Sequence, residues 1–171
     1  MIMTEMDVFF MYMATNIHRV KETEQNIAIF MHNLQRNKEE LPFYAAVTIS
    51  DDNLVHYQNM TSMLAWHDKR IFLSILLEEI PSLLWQRVFH QDDLTVNLTT
   101  PIDAAIHSRD PLLVEHILNL SLMKKYKETN PVEYSSLISN GYNNAMTWFY
   151  MNGTSSLADN EKQIMAMLIM S

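Results

Sequence analysis

The 171-residue chain has no cysteine, only two glycines and only five prolines. Without cysteine it cannot contain a disulfide, a thiol nucleophile, a cysteine-ligated zinc ion or a cysteine-ligated iron–sulfur cluster. So few glycines and prolines disfavour the many tight hairpins of a β-sandwich or β-barrel. Lysine and arginine number 12 against 20 acidic residues, for a net charge of −8, and such a field repels nucleic-acid phosphates. We therefore expect an all-α protein that does not bind nucleic acid.

Long hydrophobic runs are also missing from the chain. No window approaches the roughly 18 uncharged apolar residues of a membrane span. The first segment carries Glu5 and Asp7 and has no basic stretch before its apolar residues, which differs from a signal peptide. Length and an apolar fraction of 48% favour a single domain over 1–171. We expect a cytoplasmic protein with no stable membrane anchor.

One segment, residues 100–118, has a pattern that indicates a helix pair. Thr100-Pro101 predicts a turn and the start of an inner helix, and Pro111 starts a second helix. The core of this second, outer helix is a stripe of four apolar residues at helical spacing: Leu113, Val114, Ile117 and Leu118. The segment resembles an ankyrin repeat, whose signature opens T-P-L-H-x-A. The resemblance implies that Ala104 and Ala105 let neighbouring helices approach closely.

Three further segments match the same template, anchored on the apolar pair that opens the outer-helix core. The four anchors are Leu54, Leu83, Leu113 and Ala145. Their separations of 29, 30 and 32 residues are close to the ankyrin period of about 33. The first copy covers 42–55. The second has an inner helix at 71–77 and an outer helix from Pro81. The fourth has a first helix that Pro131 opens and a second half over residues 140–150, which begins with Asn140-Gly141.

These copies depart from the family pattern in several places. Only Gly141 occupies the position where ankyrin repeats usually carry glycine between their two helices, and the equivalents are Ser50, Glu79 and Arg109. Residues 61–66 insert an extra helical turn or two before the second copy. The expected fold is an all-α, ankyrin-like helical-repeat solenoid of four to five helix pairs. The sequence leaves open whether the β-hairpin fingers of the family are present.

Amphipathic segments flank the repeats and predict caps. A helix from Thr4 to about Val20, with Thr4 and Asp7 as a capping box, and a second helix over 23–37 form N-terminal capping helices within 1–40. The residues expected to be buried in the second helix are Ile27, Phe30, Met31 and Leu34. The repeats cover 41–152. Residues 153–171 supply a C-terminal capping helix, because terminal repeats lack one neighbour.

The resemblance also implies where a protein partner docks, since ankyrin-like modules recognise proteins through turn tips and inner-helix residues. The matching positions are Tyr44, Thr48, Trp66, Asp68, Arg70, Asp103, His107, Arg109, Glu133 and Asn140. The alternative for Asp68 and Asp110 is helix capping or pairing with a neighbouring arginine. The expected function is a non-catalytic protein–protein interaction module whose partner is not identified. It is similar to stand-alone ankyrin-like effectors and viral host-interaction proteins, which act in the host cytosol.

Residue spacings typical of metal sites or catalytic sites would favour a different interpretation. No two of the seven histidines lie three or four residues apart, so we predict no metal site. No G-x-S-x-G motif accompanies Ser108, so we predict no hydrolase, no catalytic residue and no cofactor. Two alternatives stay open. One is a small helical enzyme or enzyme inhibitor with a pocket between helix pairs, and the other is a helical bundle without repeats.

Two compositional features have a structural and a functional interpretation. The 14 methionines fill irregular gaps in a helical core or, alternatively, line an adaptable binding groove. Five aromatic residues fall on outer-helix positions, and most of them are expected to pack between layers: Trp85, Phe89, Trp148, Phe149 and Tyr150. The basic cluster Lys124-Lys125-Tyr126-Lys127 is expected to be a solvated turn, because three lysines are too few for membrane attachment.

Overall fold

Residues 4–43, 45–49, 55–87, 95–150 and 156–171 are described by the structure, which is a computed structural model. The chain divides into two units, Met1–Pro101 and Ile102–Ser171. Nine α-helices and three short strands make up the regular structure of the described residues.

The first unit contains four α-helices. They are α1 (Glu5–Asn16), α2 (Glu24–Asn37), α3 (Met60–Trp66) and α4 (Arg70–Glu79). The predicted capping box of α1 is confirmed: the Asp7 amide donates to Thr4 Oγ1 at 3.1 Å, and the Thr4 amide donates to the Asp7 carboxylate at 2.9 Å. Thr23 caps α2 by accepting from the Asn26 amide at 3.2 Å. Both caps satisfy donors that a helix start leaves unpaired.

An aromatic row joins three of these helices in the core of the first unit. The ring centroids of Phe9 and Phe30 are 6.0 Å apart, and those of Phe30 and Phe72 are 4.7 Å apart. Phe30 and Leu34 are buried as predicted. Met31 is exposed, so its predicted burial is wrong, because it follows Phe30 by one position and a helix turns 100° per residue.

The first unit also holds a three-stranded sheet that the sequence did not predict. Strand β1 (Ala45–Ile49) pairs antiparallel with β2 (Val55–Asn59), with Ala45 opposite Asn59 and Ile49 opposite Val55. Strand β3 (Thr95–Leu98) pairs parallel with β2. The helix pair expected in the first repeat copy is therefore wrong. Three consecutive β-branched residues, at 47–49, favour the strand.

The second repeat copy is confirmed only in its first half. Helix α4 covers the predicted inner helix at 71–77, and α3 is the inserted helical segment before it. The prediction that an outer helix starts at Pro81 is wrong over residues 81–87, where the described stretch ends. Pro81–Leu84 forms one 3-10 turn, and residues 86–87 have no regular structure. Trp85, expected to pack between layers, is partly exposed after this turn.

The second unit contains five helices. They are α5 (Pro101–Ser108), α6 (Pro111–Leu118), α7 (Ser121–Thr129), α8 (Pro131–Phe149) and α9 (Asp159–Met170). The predicted helix pair of the third copy is confirmed by α5 and α6. Ala104 and Ala105 are fully buried, and Asp110 caps α6 by accepting from the Leu112 amide at 3.0 Å. Helix α9 matches the predicted C-terminal helix.

The fourth copy is not a helix pair, because α8 continues without a break through Asn140 and Gly141. The predicted helix break at Gly141 is wrong for a packing reason. A Cβ atom at Gly141 would lie 3.1 Å from Cδ1 of Ile106. The glycine therefore serves the close approach of α8 to α5, which outweighs its poor helix propensity.

The mostly helical class is confirmed for the described residues, and the sheet is an addition to it. None of the described helices has the length and apolar character needed to cross a bilayer.

Candidate functional site

Three of the expected partner contacts fall near the turn between α3 and α4. Trp66 ends α3 and is half-buried, whereas Asp68 and Arg70 are exposed. Arg70 Nε donates to Asp68 Oδ1 at 2.9 Å, so Asp68 pairs with the neighbouring arginine, as the structural alternative predicted. Asp68 has a φ of 52°, in the left-handed region that few non-glycine residues adopt. This turn is a structured corner with an ion pair at its surface.

His67 lies in the same turn, beside other basic groups. Partial burial lowers the pKa of its imidazole, and the nearby His18 and Lys69 lower it further. Lys69 Nζ donates to the Val20 carbonyl at 2.8 Å, which ties this turn to the segment between α1 and α2. The arrangement favours neutral imidazole in the folded protein.

Tyr44 lies outside the described residues, and Thr48 lies on β1. The expectation that Thr48 belongs to an inner helix or a turn tip is therefore wrong, because the three β-branched residues at 47–49 favour a strand. Glu133 and Asn140 are both exposed on α8. They are seven residues apart, so they share one face of that helix.

Asp103 is fully buried, which contradicts its predicted position on a partner-binding surface. Asn144 Nδ2 of α8 donates to Asp103 Oδ1 at 3.2 Å. Asp103 belongs to the signature of the third copy, but it faces the interior because α8 packs against α5, where Gly141 approaches Ile106. A buried carboxylate needs such hydrogen bonds. Asp103 therefore contributes to internal packing.

Arg109 connects the α5–α6 turn to two other parts of the second unit. Its Nη2 donates to the Trp148 carbonyl at 3.1 Å, its Nε to Glu161 Oε2 at 3.2 Å, and its Nη1 to the His107 carbonyl at 3.2 Å. The guanidinium carbon lies 5.3 Å from the Phe149 ring centroid, within cation–π range. These contacts make Arg109 chiefly an internal bridge.

His107 and Arg109 are the two expected contacts that the structure brings together around the end of α8. The His107 and Trp148 rings meet edge to face with centroids 4.9 Å apart. Trp148 and Phe149 are buried, as predicted for outer-helix aromatics, whereas Tyr150 is exposed. Phe89 lies outside the described residues. Glu161, which accepts from Arg109, was not among the sequence candidates.

A groove between α1 and α2 is a surface that the sequence analysis missed. It has a volume of about 540 Å³. Val8, Tyr12 and Ile29 line it with 55%, 57% and 53% of their surface exposed. His32, Asn33 and an ion pair between Arg36 and Glu5, with Nη2 and Oε1 2.8 Å apart, form its polar rim. We name this surface the α1–α2 groove.

One sequence signal pointed to this groove. Helix α1 buries Met6, Phe9, Phe10 and Met13, yet also exposes the apolar side chains of Val8, Met11 and Tyr12. A helix that is apolar on several faces cannot bury all of its apolar side chains against a single core. Methionine content by itself fits either core filling or an adaptable binding groove, so it does not distinguish the buried face of α1 from its exposed face.

Comparison with known proteins gives no relative from which to transfer a site. No protein-family model, curated protein or solved structure matches the chain. Within the described ranges, no three His, Asp or Glu side chains converge as a metal site.

Proposed function

We propose that this chain is a protein–protein interaction module that binds an amphipathic helix of a partner protein in the α1–α2 groove. The observation that carries the proposal is the clustering of Val8, Tyr12 and Ile29, each more than half exposed, around one groove. Contiguous exposed apolar surface with a polar rim is typical of interaction sites.

The shape of the groove favours a helical partner. Val8 and Tyr12 are four residues apart, so they form a ridge along the α1 wall of the groove. Ile29 lies on α2 across the groove. An apolar stripe on a partner helix fits between these side chains, as in other helix-in-groove complexes. Glu5 and Arg36 provide both charge signs at the rim, so a partner carrying both signs beside its stripe is favoured.

The ankyrin resemblance is proposed for the α5–α6 segment alone. Its support is the helix pair with a tight turn, the buried small pair Ala104-Ala105 and the buried outer-helix residues Leu113 and Val114. The exposed residues Asp68, Arg70, Glu133 and Asn140 stay predicted contacts for the same or another partner. A role as a secreted effector in a host cytosol likewise stays a prediction.

The experiment compares two valine-to-aspartate variants that make the same chemical change. Val8 lines the groove, whereas Val132, at the start of α8, is 74% exposed and is not among the residues that line it. Photo-crosslinking from a benzophenone amino acid at Tyr12 in source-cell and host-type lysates identifies the partner, and calorimetry with its synthetic helical segment measures affinity. We expect Val8→Asp to weaken binding at least tenfold and Val132→Asp to leave it unchanged.

Two results would contradict the proposal. One is equal affinity of the wild type and Val8→Asp for every crosslinked partner. The other is crosslinking of the same proteins, at the same yield, from a probe at position 132. Circular dichroism of both variants verifies that the fold is intact, which is expected because both valines are exposed.

A further inference from the structure

The second unit contains a cavity that the proposed function does not use. Its volume is about 440 Å³, within the range of about 300–1,000 Å³ that small-molecule sites occupy. Helices α6, α7, α8 and α9 all contribute to its walls. Its apolar lining comes from Leu118, Met123, Ala166, Met167 and Met170.

The apolar lining suits a flexible hydrocarbon chain. Three of its five members are methionines, whose unbranched thioether side chains adjust to irregular apolar shapes. Met123 is fully buried and Met170 is 86% exposed. The apolar lining therefore extends from the interior of the unit to its surface.

The rim of the cavity carries two ammonium groups. Lys124 and Lys127 both line it and lie three residues apart on α7, which places them on one face of that helix. Lys127 Nζ lies 5.5 Å from the ring centroid of Tyr134, another lining residue. This contact orients the ammonium group at the mouth. Lys125, between them in sequence, does not line the cavity.

The cavity also has an acidic and an amide group on its α6 side, at Glu115 and Asn119. The charged side chains of the lining are two lysines and one glutamate, and this excess of positive side chains favours a single negative charge even though the whole chain carries −8. The prediction that the basic cluster is a solvated turn is wrong, because residues 124–127 lie within helix α7 and Tyr126 is buried.

The geometry points to a binding site for a single-chain amphiphile with a carboxylate head, such as a medium-chain fatty-acid anion. Its hydrocarbon chain lies along the methionine-rich lining, and its carboxylate pairs with Lys124 and Lys127 at the mouth. The inference does not depend on a partner in the α1–α2 groove.

Calorimetric titration with three ten-carbon probes below their micelle concentrations tests the two halves of the inference. The probes are decanoate, uncharged decanol and cationic decyltrimethylammonium. We expect decanoate to bind about tenfold more tightly than decanol, and the cation to bind most weakly. The double variant Lys124→Gln/Lys127→Gln is expected to weaken decanoate about tenfold and to leave decanol unchanged.

Two further variants serve as matched controls. Lys127→Gln and Lys125→Gln remove the same charge from the same helix, but only Lys127 lines the cavity. The two single variants are therefore compared with each other. Only Lys127→Gln is expected to weaken decanoate. Met170→Asp, at a highly exposed position, is expected to weaken decanoate and decanol together.

Several outcomes would overturn the inference. Equal losses from Lys125→Gln and Lys127→Gln would show general attraction between the anion and the basic cluster. Equal affinity for decanoate and decyltrimethylammonium would remove the anion preference. Binding to phosphatidylserine vesicles without binding to monomeric decanoate would assign the lysines to a membrane surface. Val8→Asp, which tests the groove, is expected to leave decanoate binding unchanged, so the two proposals fail independently.

Discussion

Arg109 holds the carbonyl of Trp148 through a 3.1 Å hydrogen bond from Nη2, while its own backbone has a φ of 61°. The residue occupies the position between two helices where the ankyrin pattern usually has glycine. A left-handed conformation costs a non-glycine residue about 1–2 kcal/mol. The side-chain contacts with Trp148, Glu161 and Phe149 offset that cost.

Two substitutions of Arg109 separate the free-energy cost of its left-handed backbone from the stabilisation that its side-chain contacts provide. Arg109→Ala and Arg109→Gly lose the same contacts, but only glycine relieves the left-handed backbone. We expect Arg109→Ala to be the less stable of the two variants by about 1 kcal/mol. Urea denaturation of both variants and the wild type measures the difference. An alanine variant at least as stable as the glycine variant would contradict the prediction.

Gly141 and Ile106 are expected to be energetically coupled, because a Cβ atom on the glycine meets Cδ1 of the isoleucine at 3.1 Å. Alanine in a helix interior is favoured over glycine by roughly 0.5–1 kcal/mol. Ile106→Val deletes the opposing methyl group. We therefore expect the change in unfolding free energy caused by Gly141→Ala to be about 0.5 kcal/mol more favourable in the Ile106→Val protein than in the wild type.

A double-mutant cycle by thermal or urea unfolding tests this coupling. Thr147→Ala serves as a reference for a substitution on an exposed position of α8, and it should have the same effect in both backgrounds. Equal effects of Gly141→Ala in the two backgrounds would mean that Ile106 moves away without cost.

Asn59 is expected to be the most sensitive polar residue of the first unit. It is buried, its Nδ2 donates to the Thr99 carbonyl at 2.9 Å, and its Oδ1 accepts from the Ser62 amide at 2.9 Å. Asn59→Ala loses the cap of α3 and leaves the Thr99 carbonyl without this donor. We expect a loss of about 2–4 kcal/mol in unfolding free energy.

Asn59→Asp is the informative companion variant for this site. It keeps an oxygen that caps α3 but has no N–H for Thr99, and it buries a charge. We expect it to be destabilised as well, with the loss decreasing at low pH as the carboxyl group becomes neutral. Unfolding midpoints at two pH values measure this, and a pH-independent loss would contradict the explanation.

His67 gives a pH dependence whose sign follows from its surroundings. Partial burial and the neighbouring His18 and Lys69 lower its pKa in the folded protein below the ordinary histidine value of 6.5. The unfolded chain therefore takes up the proton first as pH falls. The contribution of His67 to stability is complete above pH 6.5 and is lost as pH falls from there through the folded pKa.

NMR titration of the histidine ring protons measures this shift directly. We expect His67 to titrate below 6.5 and to move upward in the His18→Gln variant, because one nearby positive charge is removed. A His67 pKa at or above 6.5 in the wild type would contradict the prediction.

Much of the local structure was predictable from short-range patterns. The Thr4–Asp7 capping box, the proline starts of α5, α6 and α8, and the apolar stripe of α6 all rest on residues within one or two turns of each other. Such signals act through neighbouring backbone groups, so they need no knowledge of the rest of the chain. The mostly helical class followed from them and from the scarcity of glycine and proline.

Contacts between distant residues decided the remainder. Val55 of β2 pairs with Thr95 of β3, which lies 40 residues away in the sequence. No periodicity within either segment predicts that pairing. Asp103 is buried because Asn144 and α8 lie over it, and Gly141 stays helical because Ile106 lies close to it. The α1–α2 groove exists only because two helices leave Val8 and Ile29 uncovered side by side. Local sequence determined where the capped and proline-initiated helices begin, whereas tertiary packing determined where strands replace predicted helices and which helix faces remain available for binding.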